Sequence, residues 1–304
     1  MWILLACVTQ EPADTAEAPG ADASMNDSGD GTASSVGDTA APPDTADETG
    51  DPETGAGSTG GKGGPTGLLE GGHTFEEQAG RYTLYVPEDA HDAPLGLAVL
   101  MHGDWGSHTE FTSDLELRDW ADDTHAMVLS LGAPGSPCWW TPRKHQRADY
   151  LVDLLEGKLF GAYDVDLERV HLGGISGGAF WSMGVPMYRE LPFEGGFVGA
   201  CGGDVPREDS ETDWCFEDYD SDDPALEEQA SWSKLAVGKR VTASTTTGDE
   251  WTPFVEDGLA LWDALGAETR QVDEGSGGHC AFDTARALRD ALYWVEGLEP
   301  PDLQ

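Results

Sequence analysis

The sequence predicts an α/β architecture, a mostly parallel central sheet with helices on both faces, preceded by a disordered acidic N-terminal segment. Three observations lead there. From Arg81 onward, short apolar runs alternate with helical patterns, as in a parallel sheet flanked by crossover helices. One of these runs, Arg169 to Gly174, ends in a Gly-x-Ser-x-Gly turn and passes at once into helix-compatible residues. Residues 8–66 hold almost no large apolar side chains and are dominated by Asp, Glu, Thr, Ala, Gly, Ser and Pro. Such a segment buries too little surface to offset its ordering entropy.

The 304 residues therefore divide into a short leader (1–7), a disordered acidic linker (8–66) and one globular domain (67–304). Within the domain, Arg81 to Pro87 alternates like a strand, and Leu95 to Met101 is a continuous apolar run suited to a buried one. A helix is expected over Phe111 to Thr124, a strand over Ala126 to Leu131 and a helix over Ala148 to Phe160. The Arg169 to Gly174 strand feeds a helix that starts after Ser176 and is perturbed at Pro186. Phe197 to Cys201, Val241 to Thr245 and Gln271 to Asp273 read as the remaining strands, with helices over Phe254 to Leu265 and Ala281 to Val295. Asp204 to Ser233 is acidic with little periodicity and is expected to be an insertion over the site.

Composition excludes some partners. The net charge is −42, and only 5 of the 16 basic residues are lysine. This argues against nucleic acid and anionic membrane surfaces as partners. A dense carboxylate surface is also one that stays hydrated in a saline habitat. No run of about 18 apolar residues occurs, so membrane attachment is expected only through a lipid anchor. Leu4-Leu5-Ala6-Cys7 resembles the lipobox of bacterial lipoproteins, with Cys7 the lipidation site, although no basic residues precede it and the apolar stretch is short. The expected location is the cell envelope or, without the anchor, the extracellular space. Cys138, Cys201, Cys215 and Cys280 remain, an even count that suggests two disulfides. Local spacing favours Cys201 with Cys215, leaving Cys138 with Cys280.

Chemistry converges on the carboxyl ends of the strands, where the loops of such sheets open a crevice. Gly174-Ile175-Ser176-Gly177-Gly178 has the layout of a nucleophile elbow, a serine on a tight strand-to-helix turn flanked by glycines that let strand and helix approach. The Gly177 amide would donate to an oxyanion from a helix N-terminus. A serine hydroxyl needs a base, and the base an orienting carboxylate. His279 is the one histidine after Ser176; the other seven precede it. Asp249 sits in the turn after Val241 to Thr245, with Glu250 the neighbouring competitor. The loop after Met101, His102-Gly103-Asp104-Trp105-Gly106, fits the second oxyanion amide, with Asp104 as donor and His102 buttressing the loop. Trp105, Trp139, Trp140, Trp181 and Trp251 lie on segments near the mouth and could stack on sugar rings or a phenolic acyl group. No metal or organic cofactor is expected.

Together Arg81-Tyr82-Thr83-Leu84-Tyr85-Val86-Pro87, Leu100-Met101-His102-Gly103, Cys138-Trp139-Trp140, Asp164 to Val170 and Gly174-Ile175-Ser176-Gly177-Gly178 resemble polyhydroxybutyrate depolymerase-like esterases. That α/β-hydrolase group also includes feruloyl and acetylxylan esterases. The resemblance runs from about Arg81 to the last helix. It implies a secreted or surface-tethered serine esterase acting through an acyl-enzyme on a polyester, feruloyl or acetyl-sugar ester, with Ser176, Asp249 and His279 as its triad. A serine peptidase or acyltransferase on the same fold, or a non-catalytic binding protein derived from a hydrolase, are the alternatives. Two departures lie at the substrate-facing rim: the group's Cys-Trp-Asn-Trp is Cys-Trp-Trp here, and His102-Gly103 continues with Asp104-Trp105.

Overall fold

The computed structural model describes residues 61, 63–139, 144–203 and 236–301. Cys7 and its lipobox, nearly all of the acidic linker, Trp140, Cys215 and the Asp204 to Ser233 insertion lie outside the described residues. Among the described residues, eight strands form one sheet: β1 (Gly67–Phe75), β2 (Gln78–Val86), β3 (Leu95–Met101), β4 (Ala126–Leu131), β5 (Val165–Ile175), β6 (Phe197–Ala200), β7 (Arg240–Thr245) and β8 (Glu268–Asp273). Their order is β1-β2-β4-β3-β5-β6-β7-β8. β2 pairs antiparallel with both β1 and β4, and every other pairing is parallel. The helices are α1 (Leu115–Thr124), α2 (Lys144–Leu154), the short α3 (Phe160–Ala162), α4 (Gly177–Tyr188), α5 (Thr252–Ala264) and α6 (Thr284–Val295). A π-helical turn, Leu155–Leu159, joins α2 to α3.

Helices cover both faces because the central strands are apolar on both faces, the pattern of parallel sheets. β3 and β4 are buried at every residue. Successive side chains point to opposite faces, so each strand feeds two cores. Leu97, Val99 and Met101 pack with Leu129, Leu172, Trp181 and Trp262 on one side. Ala98 and Leu100 pack with Trp120, Val198, Leu288 and Leu292 on the other. Asp114 starts α1 by accepting from the amides of Glu116 and Leu117, so the helix begins at Leu115 and not at Phe111. The described end of the linker is hydrogen-bonded to the domain. The amides of Gly61 and Gly64 donate to the carbonyls of Gly161 and Ala162, and the Tyr163 hydroxyl donates to the Pro65 carbonyl.

Cysteine pairing departs from the local expectation. Cys201 is joined to Cys280, 79 residues away, with Cα atoms 5.2 Å apart. Cys138 is also disulfide-bonded. Neither Cys201 with Cys215 nor Cys138 with Cys280 is therefore a pair. The reason is topological: Cys201 directly follows β6 and Cys280 lies on the loop after β8, and both loops leave the carboxyl ends of parallel strands.

The candidate active site

Ser176 follows the last residue of β5, between the carboxyl ends of β3 and β6. It has φ 48° and ψ −120°, a conformation few non-glycine residues adopt, and its amide donates to the Ala200 carbonyl on β6 at 2.9 Å. The flanking glycines have a specific steric reason. A Cβ on Gly174 would lie 2.2 Å from the Met101 carbonyl oxygen, and one on Gly178 would lie 2.3 Å from the same atom. Strand, elbow and helix thus press on the end of β3 at two points where only hydrogen fits.

The Ser176 Oγ is 2.7 Å from the His279 Nε2, and the His279 Nδ1 is 2.9 Å from the Asp249 Oδ2. The Asp249 side chain is 1 % exposed, while His279 is 33 % exposed and faces the crevice. The other Asp249 oxygen accepts from the Trp251 amide at 2.9 Å, so both carboxylate oxygens are engaged. Glu250, the competing acid, points to solvent.

The turn carrying Asp249 and the loop carrying His279 are stitched together. The Thr246 hydroxyl donates toward the carbonyls of Gly277 and Gly278, each at 3.1 Å, and both the amide and the hydroxyl of Thr247 donate to the Gly275 carbonyl at 2.9 Å. A Cβ on Gly248 would lie 2.2 Å from the Gly277 carbonyl oxygen, so the two backbones meet closely there. The Cys201–Cys280 disulfide then ties the residue after His279 to the end of β6. Sequence reasoning missed Thr246, Gly248 and this disulfide, because each acts across a gap in the chain that spacing does not reveal.

Among the described residues the amides of Gly177 and Asp104, the two expected oxyanion donors, have no backbone acceptor. Gly177 opens α4, where the first amides have no partner within the helix. Gly103 brings the loop against Ser176, since a Cβ there would lie 3.5 Å from the serine Cβ. His102 is buried and braces the loop: its Nδ1 donates to the Gly103 carbonyl at 2.6 Å, and its Nε2 accepts from the Ala133 amide at 3.2 Å. Those two bonds assign the tautomer. Burial holds the His102 pKa below the ordinary imidazole value, reinforced by Arg147 and His108 and opposed by the Gly103 carbonyl.

The tryptophans separate into two groups. Trp139 and Trp181 are fully buried, with ring centroids 4.9 Å apart. They present no surface to a substrate, which corrects the substrate-binding role expected for them. Trp105 is 76 % exposed, and the Trp251 ring lies 6.4 Å from that of His279, in contact with Phe180 and Phe254. Arg147, buried, donates to the carbonyls of Cys138 and Trp139 and fixes the segment beneath the Asp104 loop.

The sequence matches no family model and no curated protein. Solved structures do match its fold. FphF, a fluorophosphonate-binding serine hydrolase of Staphylococcus aureus, superposes with a TM-score of 0.57 at 13 % identity, over 76 % of this chain and 99 % of that one. The poly(3-hydroxybutyrate) depolymerase LpqC of Bordetella parapertussis gives 0.54 at 14 % identity, over 79 % and 93 %. A feruloyl esterase module from Clostridium thermocellum, complexed with sinapinate, gives 0.54 at 14 %, over 77 % and 88 %. At such identities the likeness is one of architecture. The strand order, the elbow and these neighbours together establish the α/β-hydrolase fold for this chain.

Proposed function

We propose that this protein is a serine esterase that hydrolyses carboxylic esters through an acyl-enzyme. The observation that carries the proposal is the continuous relay from the Ser176 Oγ through His279 to Asp249, 2.7 Å and 2.9 Å long, on an elbow whose serine sits at φ 48°. Asp249 holds His279 with its proton on Nδ1, which leaves Nε2 free to accept the serine proton as Oγ attacks the ester carbonyl. The tetrahedral oxyanion is held by the Gly177 and Asp104 amides. His279 then gives its proton to the departing alcohol, and the same nitrogen activates the water that releases the acid.

Two of the neighbours are a polyester depolymerase and a feruloyl esterase, and both substrate classes suit a site flanked by Trp251 and the exposed Trp105. A fluorophosphonate probe tests the chemistry directly. It is expected to add one phosphonyl group per chain, mapping to Ser176 by peptide mass spectrometry. Labelling elsewhere, or none in folded protein that also turns over no ester, defeats the proposal.

The proposal extends to location, a surface-tethered enzyme lipidated at Cys7. The Leu4-Leu5-Ala6-Cys7 pattern supports it, as do the disulfides at Cys201–Cys280 and at Cys138, which persist in oxidising compartments. In a bacterial host the chain is expected to partition into detergent, and Cys7→Ala to move it to the aqueous phase. Equal partitioning of the two forms would rule the anchor out.

A further inference from the structure

We propose that the Asp104 side chain makes this site selective for esters bearing a cationic group close to the carbonyl. The inference rests on the assignment of Ser176 as nucleophile. Its starting point is the placement of the Asp104 carboxylate beside the nucleophile elbow. A Cβ added to Gly177 would lie 2.4 Å from the Asp104 Oδ1 and 2.8 Å from Oδ2, so the carboxylate rests directly on the residue whose amide holds the oxyanion. Among the described residues its one hydrogen bond is from the Trp139 amide to Oδ1, at 3.3 Å, and Oδ2 accepts none.

A negative charge there, offset only in part by Arg147, opposes an oxyanion formed a few ångströms away, and a positive charge on the substrate would complete the offset. The residues around it fit that complement. Trp251, beside His279, and the exposed Trp105, next in the chain after Asp104, offer aromatic faces of the kind that accept ammonium groups. A net charge of −42 concentrates cations at the surface and disfavours anionic esters. The charged groups facing Asp104 are Arg147 and His279. Burial holds the Asp104 pKa above the ordinary carboxylate value, against the pull of the Trp139 amide, Arg147 and His279. A bound cation adds to that pull and favours the ionised form.

Two isosteric pairs test the inference, since the members of each differ in charge and hardly in shape. Acetylcholine against 3,3-dimethylbutyl acetate places the charge on the alcohol side. Alanine methyl ester against methyl isobutyrate places it on the acyl side. Hydrolysis is followed by proton release with the full-length protein, and the readout is the ratio of kcat/KM within a pair. A general loss of activity in a variant cancels in that ratio. Wild type is expected to favour the cationic member of at least one pair tenfold or more, and Asp104→Asn, which still accepts from Trp139, to bring that ratio near one, mainly through KM. As a check free of any variant, tetramethylammonium chloride should inhibit wild type competitively beyond sodium chloride at equal ionic strength. Equal ratios in wild type and Asp104→Asn, or no inhibition beyond sodium chloride, overturn the inference. Failure to hydrolyse any of the four esters, with no phosphonate labelling of Ser176, would instead sink the esterase assignment.

Discussion

Replacing Ser176 with alanine is expected to lower turnover of p-nitrophenyl acetate by about 10⁴- to 10⁶-fold while leaving the fold intact, as for the nucleophile of other triads. Alanine keeps the Cβ, so the φ of 48° is as costly in the variant as in wild type, and a change in stability cannot masquerade as a change in chemistry. The amides of Gly177 and Asp104 also remain, so substrate should still bind and KM should shift much less than kcat. Steady-state kinetics with a circular-dichroism melt on the same sample checks both halves. Residual activity above a few per cent would mean that another group attacks the ester.

The second large effect is expected at Asp249. Asparagine has the shape of aspartate and can keep the bond to the Trp251 amide, so the turn should stay in place. It cannot accept the His279 Nδ1 proton with the same strength, and it favours the tautomer with the proton on Nε2, where the base must be bare. Asp249→Asn is therefore expected to cost about 10⁴-fold in kcat, the loss found when the corresponding aspartate of a serine protease is changed this way. Glu250→Gln, at the exposed neighbouring position, should stay within about twofold of wild type. Reversal of these two results would move the orienting carboxylate by one residue and contradict the 2.9 Å contact.

What could be read from the sequence follows the strength of local signals. β3 and β4 begin and end where their apolar runs do, because buried parallel strands leave no polar face to blur the pattern. β5 starts at Val165, four residues before its expected start at Arg169, since Asp166 to Arg169 continue the strand without being buried. β1 was invisible: Gly67 to Phe75 is an edge strand with three glycines and only one buried residue, held by pairing along β2. In the site, Ser176, Asp249 and His279 were legible because chain order and strand ends narrow the choices to one or two residues each. The loop-to-loop bonds of Thr246, the covalent partner of Cys280 and the position of the Asp104 carboxylate against Gly177 were not, being properties of the folded contacts alone.

The bracing around Ser176, His279 and Asp249 bears on how the protein should fail. Asp249 and His279 share one stiff block, built from the Thr246 and Thr247 bonds and the Gly248–Gly277 contact, whereas Ser176 stands on the β5–β6 block. Across the boundary run the β6–β7 pairing, the Cys201 amide to the Ser244 carbonyl, the Phe180–Trp251 contact, the 2.7 Å contact itself and the Cys201–Cys280 link. Beyond the paired strands the described ties are side chain to side chain, so compliance is expected to gather there. Warming, or wear from substitutions far away, will be felt first as a serine drifting from its base, while base and acid stay together until their own loops melt. Activity is expected to be lost some degrees before the protein unfolds, and the covalent link sets how narrow that gap is.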